Sequence, residues 1–574
     1  MRLSPSALRA VVAKQLTPGH KLWLSRLRHR EHPWQRRMGA PADAPDTRAR
    51  YDSRHEQIVC VNAVRDALTH SEIAFVELPR LSIFRPILVV HDSDASKVVA
   101  SLTSFARQSS GRWAVHFRNA TGGGMSWRQA MKRPQSVAEA RCHRSWRGPD
   151  GREMSTSAQT VTVELWEELG AGVVRADGGE YVPGTVRRRQ TSRTTLVEYL
   201  EPGVWANCIA DGSVLRLPAP HIDSLCEPVD LVYTWVDGAD PAWRKKMLAA
   251  KRALGAGEVE ETAIADSRFV SRDELKYSLR SVEYYASWVN HIYIVTDDQI
   301  PEWLDLDNPR ITVIDHREIF SDSSVLPVFN SHAIESQLHH IPGLRDKYVY
   351  LNDDIFFLRP TDPELFFTGA GLAKHFPSVV PLDVGLKSSR DLPVMAASKR
   401  GRDYLVERYG RAVTHRFKHA PHSQLRQVLE AMEAEVPEVF KDAASSKFRS
   451  PSDYSIPSSL HHFDAAARGL SVESGISYEF VDLASEDLPL RLDRLARRED
   501  LDVVCLNETI LPSGAEGRVE SLVDEFLAKR FPIPSSFEKM WSKRSTERGR
   551  GADGVYSHLP ASTVGNQRRQ KCAE

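Results

Sequence analysis

Lys347-Tyr348-Val349-Tyr350-Leu351-Asn352-Asp353-Asp354-Ile355-Phe356-Phe357 is the stretch on which the reading of this chain turns. Aromatic and aliphatic residues fill a run that reads as a buried strand, and two adjacent acids interrupt it where nothing apolar justifies them. In an open α/β sheet, ligands bind beyond the carboxyl ends of the strands, so Asp353 and Asp354 fall where a site is expected. Two carboxylates there are hard oxygen donors suited to Mg²⁺ or Mn²⁺, which in turn can hold a diphosphate. A turn carrying two solvated acids would give the same pattern, so the surroundings must decide.

Upstream, residues 229–236 form a strand by composition and run into Asp237-Gly238-Ala239-Asp240-Pro241, a turn by chemistry and a plausible nucleotide edge. Ser271 and Glu274 have capping-box spacing ahead of Leu275, Leu279, Val282 and Ala286, which predicts a helix over 272–286. Strands over 291–295 and 311–314 end in Asp297-Asp298 and Asp315-His316. Strand, acid, helix, strand, acid is the rhythm of a Rossmann-like nucleotide-sugar core, with the acids gathering on one edge. Asn330 and Ser331 precede an apolar stripe of Ile334, Leu338 and Ile341, which leaves Ser331 and Glu335 one turn apart on the same side. Glu335 can meet the Asp353-Asp354 strand end from there, or lie on the surface. His332, His339 and His340 lack a metal-binding spacing and read as surface or packing residues.

The 574 residues exceed one ordinary core and predict two or three domains. Balanced charge, 76 cations against 76 acids, argues against bulk nucleic-acid binding. Six scattered cysteines without a C-x-x-C pair indicate neither a disulfide framework nor a cysteine zinc site, and fit a reducing cytoplasmic setting. Residues 1–50 carry 11 Lys/Arg against 3 acids, a basic arm suited to peripheral contact with an anionic membrane at its inner face. Residues 51–225 read as a smaller N-terminal α+β domain: helices over 58–68 and 95–105, strands over 87–90, 160–165, 194–199 and 214–217, a flexible turn at Gly122-Gly123-Gly124, and a surface loop over 133–152. The core begins at 226–362. Residues 363–542 read as a mainly helical C-terminal lobe that returns to the core, with a helix over 423–434, a strand over 503–508 and a helix over 519–530, and 543–574 as a disordered tail. Cationic residues around His415, His419 and His422, and again at Lys447 and Arg449, stand before helix starts, where they suit phosphate oxygens.

Four ordered blocks resemble the signatures of the Stealth family: Asp230 to Pro241, Arg268 to Arg359, His419 to Arg449, and Cys505-Leu506-Asn507-Glu508. The chain looks most like the bacterial exopolysaccharide type. That resemblance implies transfer of a sugar-1-phosphate from a UDP-sugar to a hydroxyl of an oligosaccharide or polysaccharide acceptor, leaving a phosphodiester and UMP. It also implies functional positions for Glu335, Asp354, His419 and Arg449, with Asp230 on the first strand beside them. Phosphoryl transfer needs a divalent metal, cations and a base. The expectation is therefore Mg²⁺ (or Mn²⁺) on Asp353 and Asp354, charge stabilisation by Arg449 and His419, and a base that is Glu335 or Asp354. Substrate contacts are expected from Trp235, Asp237, Gly238, Arg280, Asn330, Ser331 and Asn507. The family's fourth block usually has Asp where this chain has Glu508. The rival readings are a metal-dependent glycosyltransferase that releases UDP, and a non-catalytic polysaccharide-binding protein.

Overall fold

The computed structural model describes residues 50–539 apart from 110, 150–152, 190–195, 255–270, 387, 389–390, 392, 451 and 509–513. The expected basic arm up to residue 49 and the expected tail lie outside the described residues.

The core sheet is built from β1 (Asp230–Thr234), β2 (Ile292–Thr296), β3 (Ile311–Asp315) and β4 (Lys347–Asn352), all parallel, in the order β3-β2-β1-β4. Val232, Tyr233, Ile294, Val295, Tyr348, Val349 and Leu351 are buried, as expected for parallel strands covered on both faces. Strand order reverses between β1 and β4, which opens the crevice where such sheets bind ligands. Register matters here: Asp230 lies opposite Tyr348 and Thr234 opposite Asn352, so Thr234 and Asn352 end their strands together.

Immediately after β4 the chain turns at Asp353 and Asp354 and enters β5 (Ile355–Phe357), which belongs to a different sheet. There β5 pairs antiparallel with β8 (Val503–Asn507), and β8 pairs parallel with β7 (Tyr478–Asp482). Asp353-Asp354 is thus the corner between two sheets. The antiparallel edge strand β6 (His422–Leu425) closes the core sheet beside β4, and helix α3 (Arg426–Glu435) follows it directly.

Helix α1 (Glu274–Tyr285) packs on this corner through hydroxyls: Ser278 Oγ donates to the Ile355 carbonyl at 2.5 Å, and Ser281 Oγ accepts from the Phe357 amide at 3.0 Å. The expected capping box does not form. Asp273, not Ser271, precedes the helix, in the left-handed region with φ 62° and without a side-chain cap. The Glu274 carboxylate accepts from the Arg272 amide at 2.5 Å and lies buried behind the acidic turn instead of reaching back to Ser271.

Arg280, expected to contact substrate, is committed elsewhere. Its guanidinium holds both oxygens of Glu538 at 2.8 and 2.7 Å and donates to the Phe531 carbonyl at 2.8 Å. That buried fork fastens α1 to the segment after α4 (Glu516–Arg530). Removing one partner of such a pair costs about 3–5 kcal/mol, because the other charge stays buried. Arg280→Ala is therefore expected to lower the denaturant midpoint clearly, and joint removal with Glu538→Gln to cost less than the sum of the two single changes.

Other expectations shift with context. Residues 137–144 within the expected 133–152 loop are a buried strand inside the N-terminal sheet, whose path runs Phe75–Glu77, Ile87–His91, Val161–Glu168, Val137–Arg144, Trp113–Asn119 and Gly124–Met125. Alternate residues Ala138, Ala140 and Cys142, with Val137 ahead of them, supply its buried positions, and the charged Glu139 and Arg141 between them obscured that pattern. Val214 makes an isolated bridge to Glu77, and of the strand expected over 194–199 the first two residues lie outside the described ones, while the strand found there is Tyr199–Leu200. The helix expected over 423–434 starts at Arg426, because Ser423 and its neighbours satisfy their backbone against β4. This N-terminal sheet meets the core through Tyr51, which stacks on Trp146 at 4.9 Å and meets Tyr284 edge-on at 5.1 Å.

Candidate active site

Of the residues that the sequence singled out, Glu335, Asp353, Asp354, His419, Arg449 and Asn507 gather at the carboxyl ends of β1 and β4. Asp354 Oδ2 accepts from Asn507 Nδ2 at 2.6 Å and lies 3.5 Å from Cys505 Sγ, both on β8. Its other oxygen, Oδ1, is buried without a hydrogen-bond partner among the described residues. Burial, with Glu274 and Asp354 alongside, pushes the Asp353 carboxyl well above the usual range. Burial likewise raises Glu274, although the Arg272 amide opposes it. Arg272 meets this group from one side, at 2.5 Å from Glu508 and 3.6 Å from Glu274.

Three carboxylates crowd one corner, one with an orphaned oxygen, and Arg272, shared between Glu274 and Glu508, meets them from one side only. A divalent cation ligated by Asp353 and Asp354 would relieve both deficits, and hard oxygen donors suit Mg²⁺ or Mn²⁺. His419 and Cys505 also bring a nitrogen and a sulfur close to Asp354. Burial and the Asp354 charge push the Cys505 thiol up, so it stays protonated and is a poor ligand.

From this corner a polar chain leads across the crevice. Tyr350 OH donates to Asn352 Oδ1 at 2.7 Å, and Asn352 Nδ2 lies 3.4 Å from His419 Nε2. The same phenol lies 3.2 Å from Thr234 Oγ1, with the Glu335 carboxylate beside it. Burial and the Glu335 charge keep it protonated well beyond its ordinary value. Glu335 ends the short helix α2 (Ser331–Glu335), is buried, and accepts from Ser458 Oγ at 3.2 Å. At the start of α2, Ser331 Oγ accepts from Arg449 Nη2 at 2.7 Å. Beneath that contact Asp453 accepts from Asn330 at 2.8 Å, from the Ser450 amide at 3.0 Å and from Ser446 at 2.6 Å, pinning the Arg449 loop to α2. Burial opposes its charge, but hydrogen bonds led by His332 hold the Asp453 carboxyl below its usual range.

Four family models match this chain: Stealth protein conserved region 1 over residues 227–255, region 2 over 268–375, region 3 over 418–466 and region 4 over 493–548. An exopolysaccharide phosphotransferase of Streptomyces coelicolor is 38% identical over 486 residues, which covers 82% of this chain and 81% of that protein. The chain belongs to the Stealth family. A second S. coelicolor exopolysaccharide phosphotransferase is 43% identical over 319 residues, 55% of this chain and 58% of its own. The exopolysaccharide phosphotransferase CpsY of Mycobacterium tuberculosis is 36% identical over 323 residues, 56% of this chain and 60% of its own. Among solved structures, the galactosyltransferase LgtC aligns with 55% of this chain and 99% of its own at 13% identity and a TM-score of 0.29, a likeness too slight to carry an argument.

Within this Stealth chain the expected site residues divide. Glu335, Arg449 and Ser331 join on one side of the crevice, and Asp353, Asp354, His419 and Asn507 on the other, with Tyr350 and Asn352 between them. Trp235 sits half-buried just past β1, and Asp237 and Gly238 form the turn beyond it, clipped by Gln299 to the Asp237 amide and carbonyl at 3.0 and 2.9 Å. The structure does not bring Asp230 to these residues. It starts β1, so about 13 Å of strand separate it from Thr234 at the site end. Its carboxylate is spent on the Asn290 side chain at 2.7 Å and the Arg345 amide at 2.9 Å. Asn330 is wholly buried as the cap of α2 and orients Asp453, not a substrate. Sequence reasoning missed Tyr350, Asn352, Thr234 and the Arg272, Glu274 and Glu508 group. Period-two spacing of Tyr350 and Asn352, which puts both on one face of β4, was the available signal.

Proposed function

We propose that this protein transfers a sugar-1-phosphate from a UDP-sugar to a hydroxyl of an oligosaccharide or polysaccharide acceptor. The observation that carries the reading is the division of the crevice into an acid corner at Asp353-Asp354 and a separate Glu335-Arg449 wall, with Tyr350 between them. Phosphoryl transfer asks for this inventory of charge neutralisation, positioning and a base.

In this reading the acceptor oxygen attacks the phosphorus next to the sugar. The bond from that phosphorus to the bridging oxygen breaks, UMP departs with the bonding pair, and the acceptor proton goes to Glu335. Glu335 is the better base of the two carboxylates, because Asp354 is held by Asn507 and would share its charge with a metal. Arg449 presents a planar guanidinium to phosphate oxygens, with Ser331 fixing one nitrogen. His419 donates to the departing phosphate while Asn352 steadies its ring. Trp235 and the Asp237-Gly238 turn border the nucleotide. A bound Mg²⁺ or Mn²⁺ would supply Lewis-acid neutralisation of the diphosphate from Asp353 and Asp354.

Product identity tests this. Purified protein with Mg²⁺, a panel of UDP-sugars and a mixed oligosaccharide acceptor is expected to release UMP only when metal and acceptor are both present. Release of UDP instead would make the protein a glycosyltransferase. Asp353→Asn is expected to abolish turnover at every Mg²⁺ concentration, leaving no UMP above background.

A further inference from the structure

Away from the crevice, the histidines that lacked a metal-binding spacing in the sequence acquire a third partner from a distant segment. His339 and His340 sit on the single 3₁₀ turn Leu338–His340, shortly after Glu335. Glu433 comes from α3, 93 residues beyond His340. Both Nε2 atoms lie 2.7 Å from the same oxygen, Glu433 Oε2. The three ligand atoms all fall within 4.8 Å of one another.

His340 is oriented by its other nitrogen, since Nδ1 lies 2.9 Å from the Ile319 carbonyl. A carbonyl only accepts, so Nδ1 carries the hydrogen and, in the neutral ring, Nε2 turns a lone pair toward a carboxylate lone pair. Something positive belongs between them. A backbone carbonyl behind a ligating imidazole is also the usual arrangement at histidine metal sites. The His339 side chain is fully buried, whereas His340 and Glu433 are 25% and 27% exposed, so the cluster is anchored on one side and open to a water ligand on the other.

We propose that His339, His340 and Glu433 form a second metal site, for a divalent ion of the zinc type. Two imidazoles and one carboxylate, with an open fourth position, are a donor set that zinc accepts and Mg²⁺ does not favour. Tetrahedral ligands at zinc distances stand about 3.3 Å apart, so the ion requires Glu433 to withdraw by about half an ångström, within the freedom of its partly exposed end. The ion clamps α3 to the turn behind Glu335. It has no part in the reaction proposed above and does not depend on it.

Cobalt reads this site directly. The full chain, stripped with a chelator and titrated with Co²⁺, is expected to bind one equivalent with the visible absorption of a four-coordinate ion, displaced by Zn²⁺. His340→Gln and Glu433→Gln are each expected to weaken that binding at least about a hundredfold, while Asp353→Asn and Asp354→Asn leave it intact. Zn²⁺ should raise the melting temperature of the stripped wild type but not of His340→Gln, whose own melting transition shows that it folds. Wild-type protein that takes up no Co²⁺ or Zn²⁺, or a His340→Gln variant that binds as tightly, overturns the proposal and leaves a proton-bridged triad.

Discussion

Glu335→Gln is expected to reduce turnover by about 10²–10⁴-fold, the range over which a positioned general base acts, with little change in melting temperature. The substitution keeps the side chain's shape, and its amide still accepts from Ser458, so the helix it ends should stay in place. What it loses is the proton acceptor facing the crevice. Arg449→Ala should lose at least as much, because the guanidinium neutralises charge that develops only in the transition state. Tyr350→Phe separates the roles: the phenol meets Glu335, Thr234 and Asn352 but accepts no proton from substrate, so a smaller loss is expected. UMP release measured across the three variants, each with its thermal melt, decides the matter. Full turnover in a folded Glu335→Gln protein would refute the base assignment.

Acid should unfold this protein steeply. Burial pushes His422 and His461 down to about 3 and His316 down to about 4, and it drives His462 down as well. The first, second and fourth form one cluster: His422 Nδ1 lies 3.0 Å from His462 Nε2, and His461 Nε2 accepts from the Leu425 amide at 3.0 Å. Their imidazole neighbours His375 and His419 add repulsion to any charge placed on the cluster. His316 instead faces Asp297, Asp315 and Lys246. Each of these histidines takes up a proton on unfolding below its unfolded pKa of about 6.5, but not in the folded chain until far lower pH. Stability from them is therefore complete above pH 6.5 and declines as pH falls toward 4.

The slope is about 1.4 kcal/mol per pH unit for each group, so four together rival an ordinary total stability within one to two units. Urea midpoints are expected to collapse between pH 6.5 and 5, and His462→Gln to remove about one proton from the uptake. Equal midpoints at pH 7.5 and pH 5 would contradict the neutral histidine core.

Sequence alone determined the parallel core, because Asp230–Thr234, Ile292–Thr296, Ile311–Asp315 and Lys347–Asn352 are apolar runs that each end in polar groups. The same local signal placed Asp353 and Asp354 at a strand end, and the blocks around Glu335, His419 and Arg449 carried the family resemblance. Periodicity reports which face of a strand is apolar, and it cannot report which end of the strand another segment reaches. Asp230 entered the expected site through the family resemblance alone, and the structure puts it at the start of β1, the far end from Thr234 and Asn352.

Arg280 and Asn330 looked available until Glu538 and Asp453 claimed them, from 258 and 123 residues away. The second sheet, the Tyr350 bridge and the union of His339 and His340 with Glu433 have the same origin. Each joins groups that are far apart in the chain, and only the packed structure, by enforcing hydrogen-bond satisfaction of buried polar atoms, determines which of them meet.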